Sequence, residues 1–386
     1  ARLMTIGRAN RLATAEELEQ MKAIIEGAMK DGAYGISTAL IYVPAVFSNT
    51  EELIELSRVA ARYGGSYFSH IRNEADEIDS ALDEAFRIGR EAQIPVNIWH
   101  LKIGGQHNWG KMPAILEKIQ QQRANGLDVA ANVYPYIASS TGLSALAPNW
   151  ALEGGYGAFL KRLQDPALRK RIGEDISNSS FYHRLGDASG ILVADIPGSA
   201  YDNMQKKRLS EIAQLMGVDP IEAALRLLEA GESSPGAIYF TMHEGDVQAA
   251  LRTPWVSVGS DSGAFVGDVN TEGAHPRGYG TFPRVIGRYV RDERLFTLEE
   301  AVRKVTSQAA ARIQLQDRGL LRPGMKADIV VFDPDQLLDV STFEDPHHFS
   351  KGITDVIVNG VFVLRAGEMT GALPGRMLKK DGDHPR

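Results

Sequence analysis

Apolar residues recur at helical spacing in four early segments, and short apolar runs lie between them. From Thr14 to Asp31, the residues Leu18, Met21, Ile24, Ile25 and Met29 fall on one face of a helix. Thr14 with Glu17 three positions later is a capping-box signature for its start. Thr50 opens a second helix, Glu51 to Tyr63; Ile78 to Ala92 and Met112 to Asn125 read as the third and fourth. The runs Ala33 to Ala39, Ser66 to His70, Val96 to Lys102 and Val129 to Tyr134 read as buried strands. Strands alternating with helices at this spacing predict an α/β fold, a distorted TIM-like (β/α)8 barrel.

The rhythm loosens from about 141 to 232, a stretch with Pro148, Trp150, Gly154 and Gly155, a charged helix near 157–177 and a strand-like Gly190 to Ile196. It is long enough to cover a barrel mouth as a lid. Alternation returns with Ala237 to Met242 and Trp255 to Ser260, and a last helix spans Thr297 to Ala311. After Arg318 the texture becomes all-β, with strands Ile329 to Phe332, Val356 to Asn359 and Val361 to Arg365. The expected layout is a hydrolase barrel over 1–317 and a small C-terminal β-sandwich appendage over 318–386. Two or three strands are marginal alone, and only about six barrel strands can be counted. Both observations predict that the barrel is incomplete at its N-terminus and that an N-terminal segment is missing.

Composition narrows the class. The chain has 386 residues, 24% charged and 44% hydrophobic, which is ordinary for a globular protein. A net charge of −7 with no basic run argues against nucleic acid as a partner. No apolar stretch is long enough to span a membrane. Cys is absent, which removes disulfides and thiolate ligands. No leader pattern is visible, and residue 1 is Ala, so the expected compartment is the cytoplasm, with periplasmic or secreted locations left open. Oligomeric state is not readable.

Chemistry concentrates at strand ends. His70 and His100 stand thirty positions apart, about one strand-helix-strand repeat, and Asp261 follows the apolar run ending Val258-Gly259-Ser260. In a parallel barrel such ends converge on one mouth. Two neutral imidazoles and a carboxylate suit a zinc-like ion that activates water; Asp261 can both hold the metal and take a proton from that water. A loop-capping Asp is the competing reading. Lys102, two residues after His100, shares its strand face by period-two alternation and suits a substrate carboxylate, unless it snorkels outward. In Tyr134-Pro135-Tyr136 either phenol can donate to an oxyanion or carboxylate, or simply pack. One Arg of the Arg277 to Arg284 loop fits a bidentate grip on a carboxylate, and the other is structural. His107, His183, His243 and Glu244 read as surface or supporting residues, His347 and His348 as structural.

The segments Ser69-His70-Ile71-Arg72-Asn73-Glu74, His100-Leu101-Lys102, Tyr134-Pro135-Tyr136, Gly259-Ser260-Asp261 and His275-Pro276-Arg277 through Arg288 together resemble the D-aminoacylases. These are N-acyl-D-amino-acid deacylases of the amidohydrolase superfamily. The tail Val358-Asn359-Gly360-Val361 with Gly367 to Ala372 is similar too, so the resemblance spans essentially the whole chain. It implies a zinc-dependent distorted barrel with a β-sandwich and hydrolysis of a small-molecule N-acyl-D-amino acid to a carboxylate and a free D-amino acid. It implies His70 and His100 as ligands of one tightly held zinc, with a second, weak site beside it. Asp261 becomes the general base, and Lys102, Tyr134 or Tyr136, and Arg277 hold the α-carboxylate. The resemblance also implies a His-x-His pair on the first barrel strand and a further ligand, commonly Cys, soon after. This chain has neither, and its start aligns well inside the barrel.

Two other readings compete. A cyclic-amide hydrolase of the dihydropyrimidinase or dihydroorotase kind usually carries a metal-bridging carbamylated Lys, and the strand Gly35-Ile36-Ser37-Thr38 offers none. A non-catalytic fragment with the retained fold is the third, since fold alone does not prove function.

Overall fold

The computed structural model describes residues 1–196, 200–263 and 275–380. The strands are β1 (Gly35–Ala39), β2 (Ser66–His70), β3 (Val96–Ile98), β4 (Val129–Val133), β5 (Ser139–Gly142), β6 (Ile191–Asp195) and β7 (Lys207–Arg208). They continue with β8 (Gly236–Tyr239), β9 (Val256–Val258), β10 (Ile329–Phe332), β11 (Ile353–Val358), β12 (Val361–Arg365) and β13 (Glu368–Met369).

Helix α1 (Ala15–Lys30) leads into β1. Both capping-box bonds form: Glu17 N–H donates to Thr14 Oγ1 at 3.2 Å and Thr14 N–H to Glu17 Oε2 at 2.8 Å. Helices α2 (Thr50–Arg62), α3 (Ile78–Ala92) and α4 (Met112–Ala124) connect the next three strands. The cap of α2 is Asn49, whose side chain accepts from Glu52 N–H, one residue before the Thr50 read from sequence. The helices bury Leu53, Leu82, Phe86 and Ile119 against Tyr67, Val96, Ile98 and Val129. A fully buried side chain of this kind contributes roughly 1.5–3 kcal/mol.

The main sheet runs β1-β2-β3-β4-β9 and is parallel throughout, the geometry expected of a barrel wall. It holds five strands among the described residues, one fewer than the sequence count. The difference is β8, which leaves the barrel to pair antiparallel with β5 and β6 in a separate sheet ordered β5-β8-β6-β7. Ala237, Ile238 and Tyr239 are wholly buried, and a short apolar run of this kind has no periodicity that names its partner strand.

The segment carrying that sheet packs a core of its own from Leu143, Phe159, Ile172, Ile176, Leu209 and Leu227. Its charged helix is two helices, Tyr156–Leu163 and Pro166–Ser177. Asp165 caps the second by accepting from Ala167 and Leu168 N–H, ahead of Pro166 at the first helical position. The last predicted helix is likewise divided, into Leu298–Val305 and Ser307–Arg312. Near the C-terminus, β10-β11-β12-β13 form one antiparallel sheet, a single layer among the described residues; positions 381–386 of the expected appendage lie outside them. No described helix is long and apolar enough to cross a membrane.

Candidate active site

The C-terminal ends of β1, β2, β3 and β9 open on one cavity of about 570 Å³. His70 is the last residue of β2. His100 follows β3 by two residues and takes a left-handed conformation, φ 39°. Its neighbours hold it there. Trp99 N–H donates to Ser69 O at 2.9 Å, Leu101 N–H to Asn132 O at 2.7 Å, and His100 N–H to the Asn132 side chain at 2.6 Å. The chain is therefore anchored to β2 on one side and β4 on the other.

The strand predicted as Val96 to Lys102 thus ends at Ile98, and the alternation argument for Lys102 fails at the left-handed turn. Lys102 reaches the site all the same. Its Nζ lies 2.7 Å from His100 Nδ1 and donates to Glu74 Oε1 at 2.7 Å.

Glu74 is the residue that sequence reasoning missed. It sits in the loop after β2, with Oε2 3.3 Å from His70 Nε2 and Oε1 3.0 Å from His100 Nδ1. His70, Glu74 and His100 form the one metal-capable cluster among the described residues. Its signals were its place four positions past His70 and at the end of the Ser69–Glu74 segment that carries the resemblance, with no periodicity to mark it.

Electrostatics suit metal binding. Burial pushes His70 down to about 4, against the pull of Glu74, so its imidazole is neutral at pH 7. Burial alone would raise Glu74; its contacts with His70, Lys102 and His100, among them the Lys102 ammonium and a hydrogen bond from His100, outweigh it and hold the carboxylate well below its ordinary range. His70 Nε2 is buried and, among the described residues, makes no hydrogen bond, with Glu74 Oε2 3.3 Å away. Two buried imidazoles, with carboxylates on the same cavity, are the donor types of a catalytic zinc site, and the residues present fit that ion.

Asp261 lies three residues beyond β9, at φ 50°, on the same cavity. It stands outside the histidine cluster, its Oδ2 2.9 Å from Arg277 Nη1. Arg277 is buried, with its guanidinium 4.9 Å from the centroid of the Tyr134 ring. His275 positions it: Nδ1 accepts from Arg277 N–H at 3.0 Å and Nε2–H donates to Ala138 O at 2.9 Å. Burial, with the charge of Arg277, lowers His275 to about 3, so it too is neutral.

The two tyrosines separate. Tyr134 is buried beside Lys102 and Arg277, its hydroxyl without a hydrogen bond to described residues. Tyr136 donates instead to Asp339 Oδ2 at 2.8 Å, away from the cavity. Arg284 is structural, donating to Pro135 O at 2.8 Å. The structure therefore gathers His70, His100, Lys102, Asp261 and Arg277 on one cavity, sets Tyr134 beside it, and leaves Tyr136 out. His107 pairs with Asp76 and His243 stacks on Trp109, both exposed at the surface.

The model of the amidohydrolase family matches residues 5–364. The chain belongs to the amidohydrolase family. It is similar to D-aminoacylase from Alcaligenes xylosoxydans xylosoxydans, with 38% identity over 96% of this chain and 66% of that protein. A crystal structure of D-aminoacylase superposes with a TM-score of 0.77 at 36% identity, covering 96% of this chain and 68% of that one. N-acyl-D-glutamate deacylase from Bordetella bronchiseptica, solved with zinc and a phosphonate mimic of the tetrahedral intermediate, superposes with a TM-score of 0.75 at 34% identity. That match covers 94% of this amidohydrolase and 67% of the deacylase. The chain thus spans just under two thirds of the length of the curated relative.

Proposed function

We propose that this amidohydrolase acts in the zinc-dependent hydrolysis of N-acyl-D-amino acids to a carboxylate and a free D-amino acid. The observation that carries the reading is the placing of Lys102 and Arg277 on the same cavity as the His70–Glu74–His100 cluster. A linear amide with a carboxylate beside the scissile bond needs both: an electrophilic centre and fixed cations next to it. The similarity to D-aminoacylase and N-acyl-D-glutamate deacylase supports that substrate class.

In this reading His70 and His100 hold one tightly bound zinc, which when bound polarises the acyl carbonyl and lowers the pKa of water to about 7. Arg277 and Lys102 grip the α-carboxylate, and the Tyr134 hydroxyl completes that grip. Asp261 takes a proton from water and delivers it to the leaving amine; its ion pair with Arg277 ties that proton carrier to the residue that orients the substrate. Ala145, Leu146 and Leu152 on the cavity wall favour an apolar side chain.

The test is hydrolysis by the zinc-supplemented protein of N-acetyl-D-leucine, its L-enantiomer, N-acetyl-D-glutamate and dihydrouracil. Cleavage of N-acetyl-D-leucine above its enantiomer is expected. Ring opening without deacylation would establish a cyclic-amide hydrolase, and no hydrolysis of any amide would reject the reading. A higher kcat/KM for N-acetyl-D-glutamate than for N-acetyl-D-leucine would overturn the apolar preference.

A further inference from the structure

Three groups share one carboxylate at the heart of the site. Glu74 Oε1 is 2.7 Å from Lys102 Nζ and 3.0 Å from His100 Nδ1, while Oε2 is 3.3 Å from His70 Nε2. His100 Nδ1 is also 2.7 Å from Lys102 Nζ, so a donor and an acceptor compete for the same ring nitrogen. An ammonium only donates and an ionised carboxylate only accepts. Nδ1 of a neutral imidazole can answer one of them at a time, and the choice fixes the tautomer. If Nδ1 accepts from Lys102, the ring proton sits on Nε2, which then has no lone pair for a metal. If Nδ1–H donates to Glu74, Nε2 is free to bind.

We propose that Glu74 is a positioning residue: by accepting from His100 Nδ1–H it presents His100 Nε2 to the metal and turns Lys102 from the imidazole toward the substrate carboxylate. The proposal rests on the metal reading above. A carboxylate behind a histidine ligand fixes ring orientation and tautomer in this way in many metal sites. Lys102 loses little in the exchange, because it keeps its bond to Glu74 and gains a free N–H for an anion. Metal loading and the carboxylate grip of Lys102 are then coupled through one imidazole. Without Glu74, Lys102 would cap Nδ1 and lock His100 in the tautomer that cannot bind metal through Nε2.

The experiment is zinc affinity of the full chain, by competition with a chromophoric chelator, for wild type, Glu74→Ala, Glu74→Gln, Lys102→Met and the double variant Glu74→Ala/Lys102→Met. It is paired with 15N spectra of the metal-free protein labelled at histidine. Glu74→Ala is expected to weaken zinc about 10–100-fold and to move the His100 proton from Nδ1 to Nε2. Glu74→Gln, which keeps the shape and one acceptor oxygen, should lose less, and removing Lys102 from the Ala variant should restore part of the loss. Unchanged affinity in Glu74→Ala would overturn the proposal. So would an equal loss in Glu74→Gln with no recovery on removing Lys102, which would make Glu74 a ligand. Zinc binding by none of the proteins, wild type included, would reject the metal reading itself and the role of Glu74 with it.

Discussion

The parallel sheet and the segment between β5 and β8 border the same cavity but contribute to it differently. The sheet delivers His70 from the last residue of β2, and His100 and Asp261 from two and three residues beyond β3 and β9. These strands are themselves buried, β2 and β3 paired on both sides and β9 paired with β4 at the barrel wall. The other segment has its own apolar core and its own antiparallel sheet, and brings Leu146 and Leu152 to the cavity. Chemistry and shape are held by separate cores, so damage to one should leave the other readable.

The strongest way to break the comparison is on the sheet side. His100→Ala should lower zinc affinity at least 100-fold, by several kcal/mol of lost coordination, while the denaturation midpoint of the metal-free protein barely moves; unchanged zinc content after loading and desalting would remove His100 from the ligand set. Phe159→Ala, in the other core, should cost about 3–5 kcal/mol of stability in urea with zinc affinity intact. A parallel loss of zinc would show that the two cores are one. Arg277→Lys exchanges a bidentate fork for a point charge and should raise KM about tenfold or more with a smaller change in kcat; an unchanged KM would leave Arg277 structural.

The smallest effect sharpens the boundary. His70 and His275 both titrate lower in the folded protein than the ordinary histidine value of 6.5, at about 4 and about 3. The unfolded chain therefore binds more protons in that window. Stability is fully present above pH 6.5 and falls as pH drops toward 4 and then 3, by roughly 1 kcal/mol per unit for each group. His275→Gln should flatten that slope between pH 6.5 and 3 in urea midpoints taken across the range. An identical slope would mean that His275 does not stay neutral in the fold.

The four early helices were legible because amphipathic spacing and capping residues are local signals, and the structure reproduces them within a residue or two. The reach of His70 and His100 toward one mouth was legible from strand-end position. Partner choice was not: β8 reads like a barrel strand, yet hydrogen-bonds elsewhere. Nor was Glu74, a loop carboxylate whose importance comes from the two imidazoles and the ammonium it meets in space. Lys102 was expected at the site for a reason that the left-handed His100 undoes, and it arrives there through Glu74 instead. The tyrosine choice depended on Asp339, two hundred residues along the chain, which no local pattern around Tyr134-Pro135-Tyr136 contains.

His100 and Asp261, at φ 39° and 50°, both carry side chains through a backbone region that suits glycine. Each costs on the order of 1 kcal/mol or more. Glycine at either position would relax the main chain and delete the chemistry in one step. A laboratory selection for heat resistance alone, run on libraries of this gene, would therefore drift toward sturdier and inert descendants, and must be alternated with a screen for turnover to keep these two residues in place.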